Sequence, residues 1–207
     1  MRLAALTDGL AGEYDLDVLY TAQTVHLAQV AAASRHLIVT AQHLDPVRPG
    51  DIMGATVPEA LAEVGVQAVM LNHASHPLSL PDLRLSVQRA EECGLATIVC
   101  ADSEEQCRAV AGLRPTVVIC EPTRQIGTCT MTADEYMVRT TQVVKTVSLS
   151  SLVVQAGGVS SGDDIRHVLS LGADGSGGTV GIVLAPDPRT VLIDMLDALA
   201  EFKTGVT

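Results

Sequence analysis

Aromatic side chains are nearly absent: the 207 residues include no Trp, one Phe and three Tyr. Base stacking on aromatic platforms is thereby excluded as a binding mode, and the core must be filled by Val, Leu, Ile and Ala. Positive charge is also scarce. Thirteen Lys and Arg against 24 Asp and Glu give a net charge of −11, which argues against nucleic acid and against an anionic membrane surface as partners. An anionic substrate would need a local positive site. No apolar run approaches the roughly 18 residues of a membrane span, and the opening "MRLAALTDGL" lacks the pattern of a signal peptide. The five cysteines (Cys93, Cys100, Cys107, Cys120, Cys129) are an odd number without CxxC spacing, which speaks against a disulfide framework and a zinc site. Four of them read as buried apolar fillers. The expectation is a cytoplasmic, reduced protein with no metal and no cofactor.

What is present is a 47% hydrophobic chain long enough for one domain with a substantial core. Near-continuous apolar runs fall at 17–22, 36–41, 68–73, 96–101, 116–121, 151–156 and 178–185, as in parallel strands covered on both faces. Helix-period segments separate them. One, over 80–94, places Leu83, Val87 and Ala90 on one face and stops at Gly94. A second opens at Ser103; a third opens at Thr132, with Glu135 at the capping-box position. The segment before the first strand is itself helical, with Leu3, Leu6 and Leu10 at spacings of three and four. Unbroken strand–helix alternation predicts an α/β fold in a single domain spanning 1–207. A (β/α) barrel and an open doubly wound sheet both fit. No G-x-G-x-x-G follows the first strand, which lowers the dinucleotide-binding option.

In such folds ligand chemistry collects at the carboxyl ends of strands. The third run leaves Asn72 and His73 there, the fifth leaves Glu121, the sixth leaves Gly157 and Gly158 and then Ser160 and Ser161 opening a helix, and the last, if it starts near Gly175, leaves Val180 and Gly181. A carboxylate at Glu121 can abstract a proton beside a carbonyl that an imidazole at His73 polarises. The glycine turn "AGGVSSG" offers backbone N–H groups to an anion. Together these point to enolisation of a small phosphorylated carbonyl compound. Simpler readings stand beside this one. A strand-end Glu commonly pairs with a nearby Lys or Arg, and a lone His there commonly packs or hydrogen-bonds. His26, His36, His43, His76 and His167 are read as structural or solvated, and Asp163–Asp164 as a favourable first helical turn.

The words "AQHLDPVRPG", "VMLNHAS", "LRLSVQRAEECGLATIVC", "ICEPTRQIGTC" and "AGGVSSGDDI", in this order and spacing from about Asp17 onward, closely resemble the archaeal-type triosephosphate isomerases. The resemblance implies a TIM (β/α) barrel and the interconversion of glyceraldehyde 3-phosphate and dihydroxyacetone phosphate. It makes Glu121 the base, His73 the electrophile and "PTRQIGT" a mobile loop that closes over substrate. Gly127, Gly157, Gly158, Val180 and Gly181 then lie near the substrate phosphate. It also implies a homodimer or homotetramer, with "DPVRPGDIMGATVPE" resembling the family's subunit-contact loop.

Three departures qualify these expectations. The match starts after the family's first strand, so the barrel is expected to be incomplete, with seven strands, and no residue of this sequence matches the family's Asn–Lys pair. Ala74 and Ser75 stand where the family has Ser-Glu, whose glutamate pairs with that lysine, and Val180 stands where it usually has serine before glycine. The activity on glyceraldehyde 3-phosphate is therefore expected to be impaired or altered. The competing expectations are a lyase or epimerase with different substrate contacts, and a non-catalytic descendant that binds a ligand or partner.

Overall fold

A computed structural model describes residues 1–50 and 52–205. Asp51 of the expected subunit-contact loop, and Val206 and Thr207 at the end of the expected single domain, lie outside the described residues. The chain divides into two compact units, Met1–Gly12 with Asp17–Cys100 and Glu13–Leu16 with Ala101–Thr207.

The first unit carries α1 (Arg2–Tyr14, as far as Gly12), β1 (Val18–Ala22), α2 (Leu27–Ala33), β2 (Leu37–Ala41), α3 (Pro58–Glu63), β3 (Ala68–Leu71), α4 (Leu80–Glu92) and β4 (Ala96–Ala101, as far as Cys100). Its strands pair in parallel and in chain order, β1 on β2 (Val18↔Leu37), β2 on β3 (Thr40↔Ala68) and β3 on β4 (Ala68↔Ala96). Crossover helices are what parallel neighbours require. The helix expected over 80–94 forms because Ser79 caps it, its hydroxyl accepting from the Asp82 N–H, and because Pro81 suits a first turn. Leu83, Val87 and Ala90 are its buried face, as the spacing predicts. Gly94 ends it at φ 72°, a conformation that costs glycine little.

The second unit carries α5 (Glu104–Ala111), β5 (Val117–Cys120), α6 (Asp134–Val147), β6 (Leu152–Gln155), α7 (Gly162–Ser170), β7 (Gly175–Ser176), α8 (Val180–Val183) and α9 (Pro188–Thr204). Here β5 pairs with β6 (Val117↔Leu152) and β6 with β7 (Val154↔Gly175), again parallel. Met137, Ile165, Val168, Leu169 and Met195 form a core among α6, α7 and α9. The protein is thus an α/β fold of the TIM-barrel kind with seven parallel strands among the described residues, one fewer than a closed eight-stranded barrel. No described helix is long and apolar enough to cross a membrane.

Two local expectations are corrected. The run 178–185 is not a strand: β7 is the two-residue Gly175–Ser176, and Val180–Val183 form the short helix α8. Pairing with β6 ends where the Ser176 hydroxyl donates to the Gln155 carbonyl. Val183 and Leu184 are exposed, so the apolar run never had two covered faces. Nor does Thr132 cap α6. Ala133 is the cap residue, and the Thr132 hydroxyl is used elsewhere.

Helix α1 is tied to the first unit by a carboxylate. Asp8 Oδ1 accepts the N–H groups of Arg35, His36 and Leu37 at 2.8, 2.8 and 3.2 Å, at the start of β2. Burial pushes this carboxyl up, but the three backbone donors outweigh it and hold it below the ordinary carboxylate value. A depressed carboxyl adds stability above its unfolded value of about 4, which is lost as pH falls through the folded value. Asp8→Ala should therefore lower unfolding stability at neutral pH by roughly 1–2 kcal/mol. Urea titrations of both proteins should show that gap shrinking below about pH 4, where the wild-type carboxyl protonates.

Candidate active site

Strand β5 delivers Glu121 at its carboxyl end. Its N–H donates to the Ala101 carbonyl at 2.9 Å, so the backbone keeps strand direction for one residue more. Pro122 then turns the chain out of the sheet, at ψ 124°. The carboxylate is half-buried and makes no hydrogen bond or ion pair among the described residues. The Lys or Arg partner of the simpler reading is not there. Burial alone pushes the Glu121 carboxyl above its ordinary value. The Tyr136 hydroxyl, buried and without a hydrogen-bond partner among the described residues, belongs to the same environment. Burial raises its pKa too, helped by Cys107, Cys120, Asp102 and Glu121.

After Pro122 the loop makes a single 3-10 turn, Thr123–Gln125. The Thr123 hydroxyl donates to Asp102 at 3.0 Å and the Thr128 hydroxyl to the Gln125 carbonyl at 2.9 Å. Gly127 sits at φ 76° with open space where a Cβ would be, and Thr128–Thr130 are exposed. The loop lands on the turn after β6. Thr132 N–H donates to the Gly157 carbonyl at 3.2 Å, and its hydroxyl, buried, is shared between the carbonyls of Ala156 and Gly157, each at 3.3 Å. That bond explains why Thr132 is unavailable as a cap.

The two glycines of this turn have different reasons. At Gly157 a Cβ would come within 2.6 Å of Thr132 Oγ1 and would lie 3.6 Å from Glu121 Cγ, so the fold places Gly157 beside the candidate base. At Gly158 a Cβ would overlap the Thr130 carbonyl outright. At the start of the helix that follows, three N–H groups are already taken, one of them by Asp194 Oδ2, which accepts from Gly162 N–H at 2.6 Å. Asp164 Oδ2 already accepts from Ser160 N–H (2.8 Å) and its hydroxyl (3.1 Å), and Ser161 Oγ accepts from Asp164 N–H. Val180 and Gly181 open α8, where the first N–H groups have no intrahelical acceptor. A Cβ at Gly181 would lie 2.8 Å from Ser160 Cα, so only glycine allows that approach.

His73 is placed in the first unit by its neighbour. Asn72, directly after β3, adopts the left-handed conformation at φ 57°. Its amide is used twice: Nδ2 donates to the Cys100 carbonyl at 2.9 Å, and Oδ1 accepts the Leu78 N–H at 3.0 Å. Asn tolerates this region better than other side chains. The next turn closes when His76 N–H donates to the His73 carbonyl at 2.7 Å. Ser75 N–H points at His73 Nδ1 at 3.2 Å, and Ser75 Oγ lies 2.7 Å from the same atom. The His43 and His76 rings meet at a tilt of 42°, their centroids 3.9 Å apart. Burial and the neighbouring His76 lower the pKa of His43, against the pull of Asp45. The roles of Asn72 and Ser75 escape sequence reasoning. The one visible signal is an asparagine at a strand exit, where a left-handed residue ends the ladder.

Among the described residues no group of three or more His, Cys, Asp or Glu is placed to hold a metal ion. A cleft of about 440 Å³ in the first unit is lined by Arg48, Glu59, Arg89 and Glu92, which already form ion pairs with one another, and contains none of the expected site residues.

Comparison with known proteins gives the family. The family model described as triosephosphate isomerase matches residues 2–185. A protein named triosephosphate isomerase from Methanopyrus kandleri is 34% identical over 203 residues, covering 96% of this chain and 90% of its own. Proteins of the same name from Methanobacterium bryantii (27% identical, 96% and 89% covered) and Metallosphaera sedula (29% identical, 95% and 87% covered) match along nearly the same span.

The packing around the glycines separates two substitutions that look alike in sequence. Gly158→Ala adds a clash with backbone to a positive φ of 86° and should cost more than about 2 kcal/mol. Gly127→Ala meets only the backbone penalty of its φ, roughly 1 kcal/mol. Paired denaturation curves check the order; equal losses would mean the loop does not dock on the Gly157–Gly158 turn.

Proposed function

The chain belongs to the triosephosphate isomerase family, and from that premise we propose that it is an isomerase that enolises a small phosphorylated carbonyl compound, with Glu121 as base and His73 as electrophile. Pairing a carboxylate base with an imidazole electrophile is the established chemistry of the family. The observation that carries the reading is Glu121 itself. It is a half-buried carboxylate at a strand exit, without a cation beside it among the described residues, and with its pKa raised. Such a group contributes nothing to stability that a neutral side chain would not. Raising its pKa brings it nearer the working pH of a general base.

In this mechanism Glu121 takes a proton from the carbon next to the carbonyl. His73 donates from its ring to the carbonyl oxygen, so that negative charge does not build up there. The proton held by Glu121 is then returned to the former carbonyl carbon while His73 takes back the hydroxyl proton of the adjacent oxygen, which becomes the new carbonyl; aldose is exchanged for ketose and both side chains are restored. The N–H groups of Gly127, Gly157, Gly158, Val180 and Gly181 are the proposed cradle of the substrate phosphate, with donors supplied by backbone rather than by Lys or Arg. This choice suits a chain whose overall charge repels anions. The segment from Pro122 to Thr130, exposed at its tip and anchored at Thr132, is the proposed cover that excludes water. Ser75, standing where the resemblance expects a glutamate, supports an activity on glyceraldehyde 3-phosphate altered from the family's. A homo-oligomer through the 45–59 loop belongs to the same proposal. That loop closes on itself through Asp45 and Thr56 and leaves Met53 94% exposed.

A coupled assay with glyceraldehyde 3-phosphate, run on the protein and on Glu121→Gln, tests the reading. Turnover should fall by at least about a hundredfold in the variant, as expected for loss of a general base. Equal rates would sink it and leave the ligand-binding alternative. In the active protein, kcat/KM should fall on the acid side with an apparent pKa above the ordinary glutamate value of 4.5.

Stability gives a second, independent check. A carboxyl whose folded pKa lies above its unfolded value binds its proton more tightly when folded, so ionising it destabilises the fold as pH rises through the folded value. Glu121→Gln should therefore unfold at a higher temperature than the wild type at neutral pH, with the two curves converging below about pH 4. A variant less stable than the wild type at neutral pH would contradict the absence of a carboxylate partner.

A further inference from the structure

We propose that the Ser75 hydroxyl is a positioning residue for His73: together with its own backbone N–H it holds Nδ1 as an acceptor, so that the neutral ring carries its proton on Nε2. The two contacts give an order of reasoning. A backbone N–H can only donate. Ser75 N–H is directed at Nδ1 at 3.2 Å, which is favourable only if Nδ1 presents a lone pair. A hydroxyl rotates to suit its partner, so Ser75 Oγ, 2.7 Å from the same nitrogen, must donate to it as well. A neutral imidazole has one ring proton, and with Nδ1 taken as acceptor that proton is on Nε2.

The hydroxyl is the closer of the two donors, by the difference between 2.7 and 3.2 Å. It therefore carries more of the tautomer preference than the backbone does. The turn that presents it is built independently of it. His76 N–H closes the turn on the His73 carbonyl at 2.7 Å, and Asn72 fixes both sides of the segment through Cys100 and Leu78. Ser75 is itself exposed, so removing its hydroxyl leaves no buried polar group and should leave the fold intact. Among the described residues the side chain then acts on one thing in its surroundings, the ring nitrogen. Its consequence for chemistry rests on the reading of His73 as electrophile: an Nε2–H ring is a donor at the far nitrogen, which is what polarising a carbonyl oxygen requires.

The test is long-range ¹H–¹⁵N spectroscopy of the full chain labelled at histidine, with His73 assigned by its loss in His73→Gln. The wild type should show the Nε2–H tautomer. Ser75→Ala should move His73 toward a mixture with Nδ1–H while its thermal unfolding stays unchanged, and Ser75→Thr, which keeps a hydroxyl, should restore the wild-type pattern. In the isomerase assay kcat should fall about tenfold in Ser75→Ala with little change in KM, the worth of one ordinary hydrogen bond, and recover in Ser75→Thr. A wild-type tautomer pattern in Ser75→Ala, or an Nδ1–H ring in the wild type, overturns the proposal. Should the tautomer shift as described while no form of the protein turns over glyceraldehyde 3-phosphate, the positioning role stands and the isomerase reading is the one that falls.

Discussion

A carboxylate held partly out of water with no cation beside it is the constraint around which the second unit is arranged. Desolvation works against the charged form of Glu121, and nothing among the described residues offsets it. The backbone must therefore hold the side chain in place. Glu121 N–H is bound to Ala101, Pro122 forces the exit, and Thr132 fastens the far end of the loop to Gly157. The polypeptide between these points carries few packing contacts at its tip and is exposed from Gly127 to Thr130. Rigidity at both ends with freedom between them is what a segment needs if it is to cover a ligand without displacing the group beneath it.

The first unit handles its ionisable group by the opposite means. His73 is fixed by short-range hydrogen bonds within its own turn rather than by burial. Asn72 takes an uncommon backbone conformation and uses its amide to hold strand β4 at one side and the start of the next loop at the other. A left-handed asparagine costs a fraction of what another side chain would there. Two amide hydrogen bonds, each worth about 1 kcal/mol net, are enough to hold it. The imidazole then inherits its orientation from a turn whose geometry is already set. Proton transfer depends on direction as much as on affinity, so a ring held by local bonds keeps its aim even when the segment beyond it moves.

Much of the framework was legible in the sequence because it depends on patterns that survive without tertiary information. Six of the seven apolar runs became strands within a residue or two of their expected ends, and the helix faces with Leu83 and Val87 were buried as their spacing implied. Ser103 and Ser161 cap the helices they open. The failures share a cause. At 178–185 the apolar run has the pattern of a buried strand, but Val183 and Leu184 have no second layer above them, and burial is decided by what folds over a segment. At Thr132 the capping pattern was present and the hydroxyl was drawn away by two carbonyls 24 and 25 residues distant. Local signals lose wherever a long-range partner binds the same atom.

The same distinction governs how far a residue type can speak for function. Gly157, Gly158 and Gly181 were expected near a phosphate, and all three are glycine in this fold for a reason that involves no ligand: Thr132, Thr130 and Ser160 come too close for a Cβ. Their identity therefore reports packing first. Gly127 is the contrary case, with empty space around it and only its positive φ to account for it. Glu121 differs from all of these. No partner, cap or packing contact among the described residues calls for a carboxylate there, and a glutamine of the same size would sit at less cost. A residue whose presence the fold resists, rather than one the fold requires, is where selection for chemistry is most directly visible.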